Sequence, residues 1–261
     1  MVDFWRLVRR MVRAKIPANI HGPAIRAADP WALSAGKKRQ LLSEEERVRL
    51  ALLASLARFN KGEEIYREGQ PADTVFNVIT GVVKTYKTAP DGGEHIAAFL
   101  FPDDIFGLAE EGKYTNSAKA ITPLAVYRFP VSGLRNRLAR DADLEFHFIC
   151  KLIHELRETQ RHAFLLAQRR ALSRVVMFLH LLENLQVARG ERTAEIYLPM
   201  NRSDIGEYLG MSLEAVSRAF RGLIARGIIK IRDRQHLKIA DRSTFDKIAA
   251  DMTKAPRSTT R

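Results

Sequence analysis

Residues 211–220, "MSLEAVSRAF", gather a carboxylate, a hydroxyl and a guanidinium at Glu214, Ser217 and Arg218. On a helix at about 100° per residue, Arg218 falls about 40° from Glu214, Arg221 at about 340° and Ser217 at about 300°. Val216, Ala219, Phe220 and Leu223 fall on the opposite side. One face is therefore built to pack, and the other presents an acceptor, a hydroxyl and two guanidiniums. That set suits the edges of base pairs. Arginine donates two hydrogen bonds to guanine O6 and N7, glutamate accepts from cytosine N4, and serine is short enough to touch a base edge or a thymine methyl. A helix face that merely meets water carries charges too, but scattered among lysines.

Such a face needs elements to present it. "YLPMNRSDIGEYLGMSLEAVSRAFRGLIARGIIKIRDRQHLKIA" reads as strand, helix, tight turn, helix and hairpin. Ser203 is predicted to cap the first helix and Ser212 the second, with Gly210 closing the first. The pattern is a helix-turn-helix followed by a β wing, "IIKI" and "HLKI" flanking Arg232-Asp233-Arg234. In that arrangement the second helix enters the major groove. Glu214, Ser217 and Arg218 then read bases. Arg202, Arg226, Lys230, Arg232 and Arg234 reach phosphates, with Ser203, Ser212 and Arg221 near the same backbone, which sets register without reading sequence.

The charge distribution agrees. The 261 residues carry a formal net charge of +13, which points to a polyanionic partner, double-stranded DNA first. Residues 1–40 have a net of +7, residues 41–168 of −2, and residues 169–261 of +8. One part meets the polyanion and another does something else. The single cysteine, Cys150, excludes a disulfide framework within one chain and fits a reducing cytoplasm. No apolar run reaches membrane-spanning length, so no membrane is expected. Motifs for a nucleophilic serine, a phosphate-binding loop or a zinc hydrolase are missing, so the chain is read as no enzyme. The acidic pairs Asp103-Asp104 and Glu110-Glu111 read as solvated rather than catalytic.

Upstream, the basic start "MVDFWRLVRRMVRAKIPANI" is amphipathic and is then broken by Pro17, Gly22, Pro23 and Pro30. Residues 1–35 are read as a basic arm of unknown role, either flexible or in contact with DNA, membrane or a partner. "LLSEEERVRLALLASLARF" predicts a helix, with Ser43 and Glu46 as a capping box. From Phe59, short β-rich runs punctuated by glycines, with a Pro90-Asp91-Gly92 turn, predict a sandwich or barrel. "DLEFHFICKLIHELRETQRHAFLLAQRR" predicts a long helix with an apolar seam at Leu144, Phe148, Ile149, Leu152, Leu156, Ala163 and Leu166, a natural subunit contact, the alternative being a helix packed only on its own domain. A second helix, "RALSRVVMFLHLLENLQV", ends at Gly190. The domain reading is an arm (1–35), a β domain (36–140), a dimerisation helix (141–168) and a DNA-binding domain (169–261). The fold class is α+β.

"RSDIGEYLGMSLEAVSRAFRGLIARGIIKI" resembles the DNA-binding domain of the CRP/FNR superfamily of bacterial transcription regulators. The Glu214-Ala215-Val216-Ser217-Arg218 spacing is similar to the FNR and FixK branch. The catabolite-activator branch has an arginine where this chain has Leu213 and a glycine where it has Ser217. "KGEEIYREGQPADTVFNVITGVVKTYK" resembles the start of a cyclic-nucleotide-binding-like β-roll. Together the likeness covers residues 50 to 245 or so. It implies an N-terminal β-roll, a long dimerisation helix and a C-terminal winged helix-turn-helix. It also implies a homodimer joined through Phe148, Ile149, Leu152, Leu156 and Ala163, acting with RNA polymerase as an activator on a palindrome whose half-site resembles TTGAT. Arg218 would meet its guanine, Glu214 the paired cytosine and Ser217 the thymines.

The sensor part departs from the family pattern. Cyclic-nucleotide binders hold the phosphate with an Arg-Ser pair and the ribose with a glutamate. In "FGLAEEGKYTNSAKA", Ser117 and Ala118 fit, but Asn116 replaces the arginine and Leu108 the glutamate, and neither Lys113 nor Lys119 sits at the matching position. An iron–sulfur cluster needs several cysteines. His95, in the β domain, is the candidate for haem, and Cys150 for a redox switch, though a buried structural thiol suits "FHFIC" better. The chain thus resembles FixK, a sensor fold with no evident ligand site, and no cofactor is expected. The alternative is an effector-gated regulator of the same fold, binding a cyclic nucleotide, haem or another small molecule.

Overall fold

The computed structural model describes residues 22–27, 39–90, 92–191 and 194–250. Contacts divide the chain into two compact units, one up to Arg157 and one from Glu158 on. Among the described residues no helix is long and apolar enough to cross a membrane.

The first unit is a β-roll of two four-stranded antiparallel sheets. Its strands are β3 (Ser55–Phe59), β4 (Glu64–Tyr66), β5 (Thr74–Thr80), β6 (Val83–Thr88), β7 (Glu94–Leu100), β8 (Ile105–Phe106), β9 (Ser117–Ala120) and β10 (Leu124–Pro130). One sheet runs β3-β10-β5-β8 and the other β4-β9-β6-β7. Tyr66, Phe76, Val78, Val83, Leu100, Phe106, Ala118 and Val126 bury their side chains together as one core. The expected turn between β6 and β7 places Gly92 at φ 84, while position 91 lies outside the described residues.

A second core lies where helices cover the roll. Ile25, Leu42, Leu50, Val75, Tyr127, Phe129, Leu134, Leu144 and Phe148 share it. The helices are α1 (Glu44–Leu53), α2 (Val131–Leu138) and the start of α3 (Ala142–Leu166). The capping box of Ser43 and Glu46 is present as expected. The helix expected over 41–59 stops early, however, and its last residues form β3, which pairs with β10 from Phe59 to Ser55. Backbone pairing with a sheet edge overrides helix propensity there.

Three other expectations change in this unit. The reading of residues 1–35 as an arm fails at 22–27, while residues 1–21 and 28–35 lie outside the described residues. There Ile25 and Ala27 are buried, and Asn77 brackets Ala24: its Oδ1 accepts the Ala24 N–H at 3.2 Å and its Nδ2 donates to the Ala24 carbonyl at 2.9 Å. β1 (Arg26–Ala27) pairs with β2 (Arg39–Gln40). Asp103 and Asp104 are not solvated carboxylates. Asp103 pairs with Arg26, and Asp104 accepts from the buried Lys151 at 2.7 Å. Leu144 and Phe148 belong to the second core, between the helices and the β-roll, not to a seam, since they are buried with Leu50 and Phe129. Ile149, Leu152 and Leu156 stay exposed on α3. Cys150 is buried, as a structural thiol would be.

The second unit holds the end of α3, then α4 (Ala171–Ala188), β11 (Ile196–Tyr197), α5 (Arg202–Leu209), α6 (Leu213–Ala225), β12 (Ile229–Ile231), β13 (His236–Ile239) and α7 (Arg242–Ala250). The three strands form one antiparallel sheet, β11-β13-β12. Val175, Val176, Leu179, Ile205, Leu209, Val216, Leu223 and Ile229 are buried at its centre.

Candidate nucleic-acid interface

Helix α5 starts at Asn201, whose side chain accepts the Asp204 N–H at 2.8 Å while Asp204 accepts the Asn201 N–H. The cap is thus Asn201, not Ser203. Both are good cap residues, but only Asn201 has an acidic residue three positions on to complete the reciprocal pair. Ser203 lies in the first turn of the helix, its hydroxyl 3.3 Å from Glu207. The helix closes at Gly210, φ 60, as expected.

Two contacts set the angle between α5 and α6. A Cβ at Gly206 would stand 2.6 Å from the Met211 carbonyl oxygen, so only glycine lets the turn cross that closely. Arg202 lies over Phe220, at 3.3 Å to the ring centroid. Ser212 then caps α6 by accepting the Ala215 N–H at 3.2 Å.

On α6 the expected split is observed. Val216, Ala219, Phe220 and Leu223 are buried, while Glu214, Arg218 and Arg221 are exposed and Ser217 is half-buried. The backbone N–H of Glu214, the Ser212 hydroxyl and Arg218 together hold the Glu214 carboxyl below its ordinary range. It is a carboxylate at neutral pH, an acceptor only.

The wing follows. β12 and β13 pair from Ile229↔Ile239 to Ile231↔Leu237. Asp233 closes the turn, accepting from the Gln235 N–H at 2.8 Å and the His236 N–H at 2.9 Å; the Gln235 bond, the His236 ring and Arg232 push its carboxyl far below the ordinary range. Lys230 and Arg234 are exposed on this hairpin.

Comparison with known proteins decides the family. Residues 173–248 match the Crp-like helix-turn-helix domain, and residues 56–141 match the cyclic nucleotide-binding domain. The nitrogen fixation regulation protein FixK of Azorhizobium caulinodans is 32% identical over 200 residues, covering 76% of this chain and 81% of that protein. The chain belongs to the CRP/FNR superfamily, on its FixK-like branch. The transcriptional activator protein Anr of Pseudomonas aeruginosa is 31% identical over 177 residues, 67% of this chain and 72% of that one. The solved structure of FixK2 from Bradyrhizobium japonicum superposes with a TM-score of 0.69 at 33% identity, over 75% of this chain and 96% of that one. This CRP/FNR regulator is therefore a DNA-binding transcription regulator.

Within that family frame, the positions expected near phosphates divide into two groups. Arg221, Arg226, Lys230 and Arg234 are exposed. Arg202 and Arg232 already have partners inside the unit. Burial lowers the Arg202 pKa to about 10, which leaves it cationic at neutral pH. Arg232 pairs with Glu195 and with Asp233. Ser212 uses its hydroxyl in the cap. Sequence reasoning missed Gly206, Arg174 and His162. Arg174 donates to the carbonyls of Leu209 and Gly210, and His162 to that of Tyr208. A lone glycine inside the short helix α5 is the one signal that pointed there.

Proposed function

We propose that this CRP/FNR regulator acts in the cytoplasm as a homodimeric activator that contacts RNA polymerase and reads a palindromic site of FixK type. Glu214, Ser217 and Arg218 read bases. Arg221, Arg226, Lys230 and Arg234 neutralise phosphates. The observation that carries the reading is the two-sided helix α6, with four apolar side chains buried and the three polar ones turned out on the opposite face. Pairing of two copies is supported by the exposed Ile149, Leu152 and Leu156 on α3, with Ala163 a further heptad on.

Activity without a bound effector is supported by the interior of the β-roll. Tyr66 and Tyr114 stack at 3.8 Å, with Phe76 and Phe106 beside them. The Tyr66 hydroxyl meets Asn116 at 3.3 Å, and Tyr114 donates to the Thr74 carbonyl at 2.8 Å. Ser117 accepts the Glu68 N–H, and Lys119 is held by Glu94 at 3.1 Å. These polar groups are thus engaged, and aromatic rings fill the space beside them. His95 is exposed on β7, facing water rather than the interior.

Anisotropy titration tests the base assignment. The duplex carries two half-sites resembling TTGAT, and a second duplex has the G·C pairs exchanged for A·T. The parent chain should lose about 1–3 kcal/mol per half-site on the exchange, the value of one bidentate contact for each subunit. Arg218→Ala should lose most of that difference, Glu214 keeping its share at the paired cytosine. An undiminished preference in that variant removes Arg218 from the reading.

A further inference from the structure

Arg174 sits half-buried on α4, a different helix from α6, which carries Glu214, Ser217 and Arg218. Its guanidinium nevertheless makes three hydrogen bonds to backbone. Nη1 donates to the Leu209 carbonyl at 2.8 Å and the Gly210 carbonyl at 3.0 Å. Nε donates to the Gln168 carbonyl at 2.7 Å. Leu209 and Gly210 end α5, where a helix leaves its carbonyls without partners and a cation is favoured. Gln168 belongs to the connector between α3 and α4.

One rigid fork therefore ties the connector, α4 and the turn that launches α6. The turn is short. Ser212 caps α6 two residues after Gly210, and Glu214 stands two residues beyond. A shift at Gly210 moves Glu214, Ser217 and Arg218 together. The domain does not depend on this clamp for its core, because Val175, Val176, Phe178, Leu179 and Leu182 are buried along the same helix.

We infer that Arg174 is a positioning residue for base reading, fixing the start of α6 relative to α4 and the preceding connector. The inference rests on α6 being the base-reading helix. Its chemistry is specific to arginine. Lysine keeps the charge but is a point donor on a flexible stem and does not reproduce the planar fork.

The test uses the full-length chain, the two duplexes described above and thermal unfolding, with Arg174→Met, Arg174→Lys and Arg218→Ala. Arg174→Met should unfold cooperatively and lose about tenfold of the discrimination between duplexes, the scale of hydrogen bonds to a charged group. Its salt-dependent binding to the exchanged duplex should stay close to the parent's. Arg174→Lys should recover part of the discrimination. A folded Arg174→Met with unchanged discrimination overturns the inference. So does an equal fall in affinity for both duplexes, which a purely structural role would give. If Arg174→Met does not fold, Arg174→Lys decides: a parent-like melt with reduced discrimination supports the inference, and full discrimination overturns it. Arg218→Ala separates the two ideas. Loss in that variant without loss in Arg174→Met sinks the Arg174 role alone, while retention in Arg218→Ala sinks the base assignment on which it rests.

Discussion

Arg202 lies flat against Phe220, joining the first turn of α5 to the buried face of α6, with the guanidinium carbon 3.3 Å from the ring centroid. A desolvated cation over an aromatic face is worth up to about 2 kcal/mol. The stack also places a charge where sequence alone suggested a phosphate contact. Its first duty is inside the fold, in fixing how the two helices cross.

Arg202→Ala and Arg221→Ala should therefore behave differently. Arg202→Ala should lower the stability of the DNA-binding unit by about 1–2 kcal/mol, with lysine failing to restore it because it lacks the planar face. Arg221 is exposed on α6. Its loss should leave the melt unchanged and reduce the slope of log K against log salt by about two, one for each subunit of the proposed dimer. Urea unfolding and a salt series on the same duplex measure both. A salt slope that falls as much in Arg202→Ala, with no loss of stability, would restore it as a phosphate contact.

The seam on α3 makes the second prediction. Ile149, Leu152 and Leu156 are 45%, 48% and 58% exposed, whereas Phe148 is 8% exposed. Leu156→Glu should leave the β-roll folded and convert the proposed dimer to monomers in sedimentation, with weaker binding to the proposed palindrome. Phe148→Ala should instead destabilise the β-roll by about 3–5 kcal/mol, as loss of a buried phenyl does. A Leu156→Glu chain that still sediments as a dimer places the subunit contact elsewhere.

Phe148 and Ile149 also show where the sequence stopped being readable. Both are large, apolar and adjacent on a helix, and the three-four spacing admits either to a stripe. Only the position of the β-roll, packed against α3 from one side, turns Phe148 inward and leaves Ile149 out. The same holds at 54–59, where no glycine or proline marks the end of α1 and the pairing partner, β10, comes about 70 residues later. Local chemistry was legible where it was self-contained. Ser43 with Glu46, Gly210 at φ 60 and Ser212 all act within their own turn. The face of α6 was legible for the same reason, since its periodicity lies within 13 residues. Arg174 was not, because its acceptors at Gln168, Leu209 and Gly210 meet it only in the folded unit.

His162 gives the last prediction, a pH dependence. Its ring stacks on Tyr208 at 4.0 Å and 3°, and its Nε2 is 2.7 Å from the Tyr208 carbonyl, which can only accept. Burial lowers the His162 pKa below the ordinary 6.5, and the carbonyl opposes this only in part. The unfolded chain therefore takes up the proton more readily than the folded one. Stability from this group is complete above pH 6.5 and declines as pH falls below it. The unfolding midpoint of the DNA-binding unit in urea should drop between pH 7.5 and 5.5. His162→Gln keeps a nitrogen donor for the carbonyl but cannot titrate, so it should flatten that part of the profile. An unchanged slope in His162→Gln would assign the proton uptake to another group. A flattened slope with parent-like stability at pH 7.5 would show that the neutral imidazole, donating to α5, is the form the fold selects.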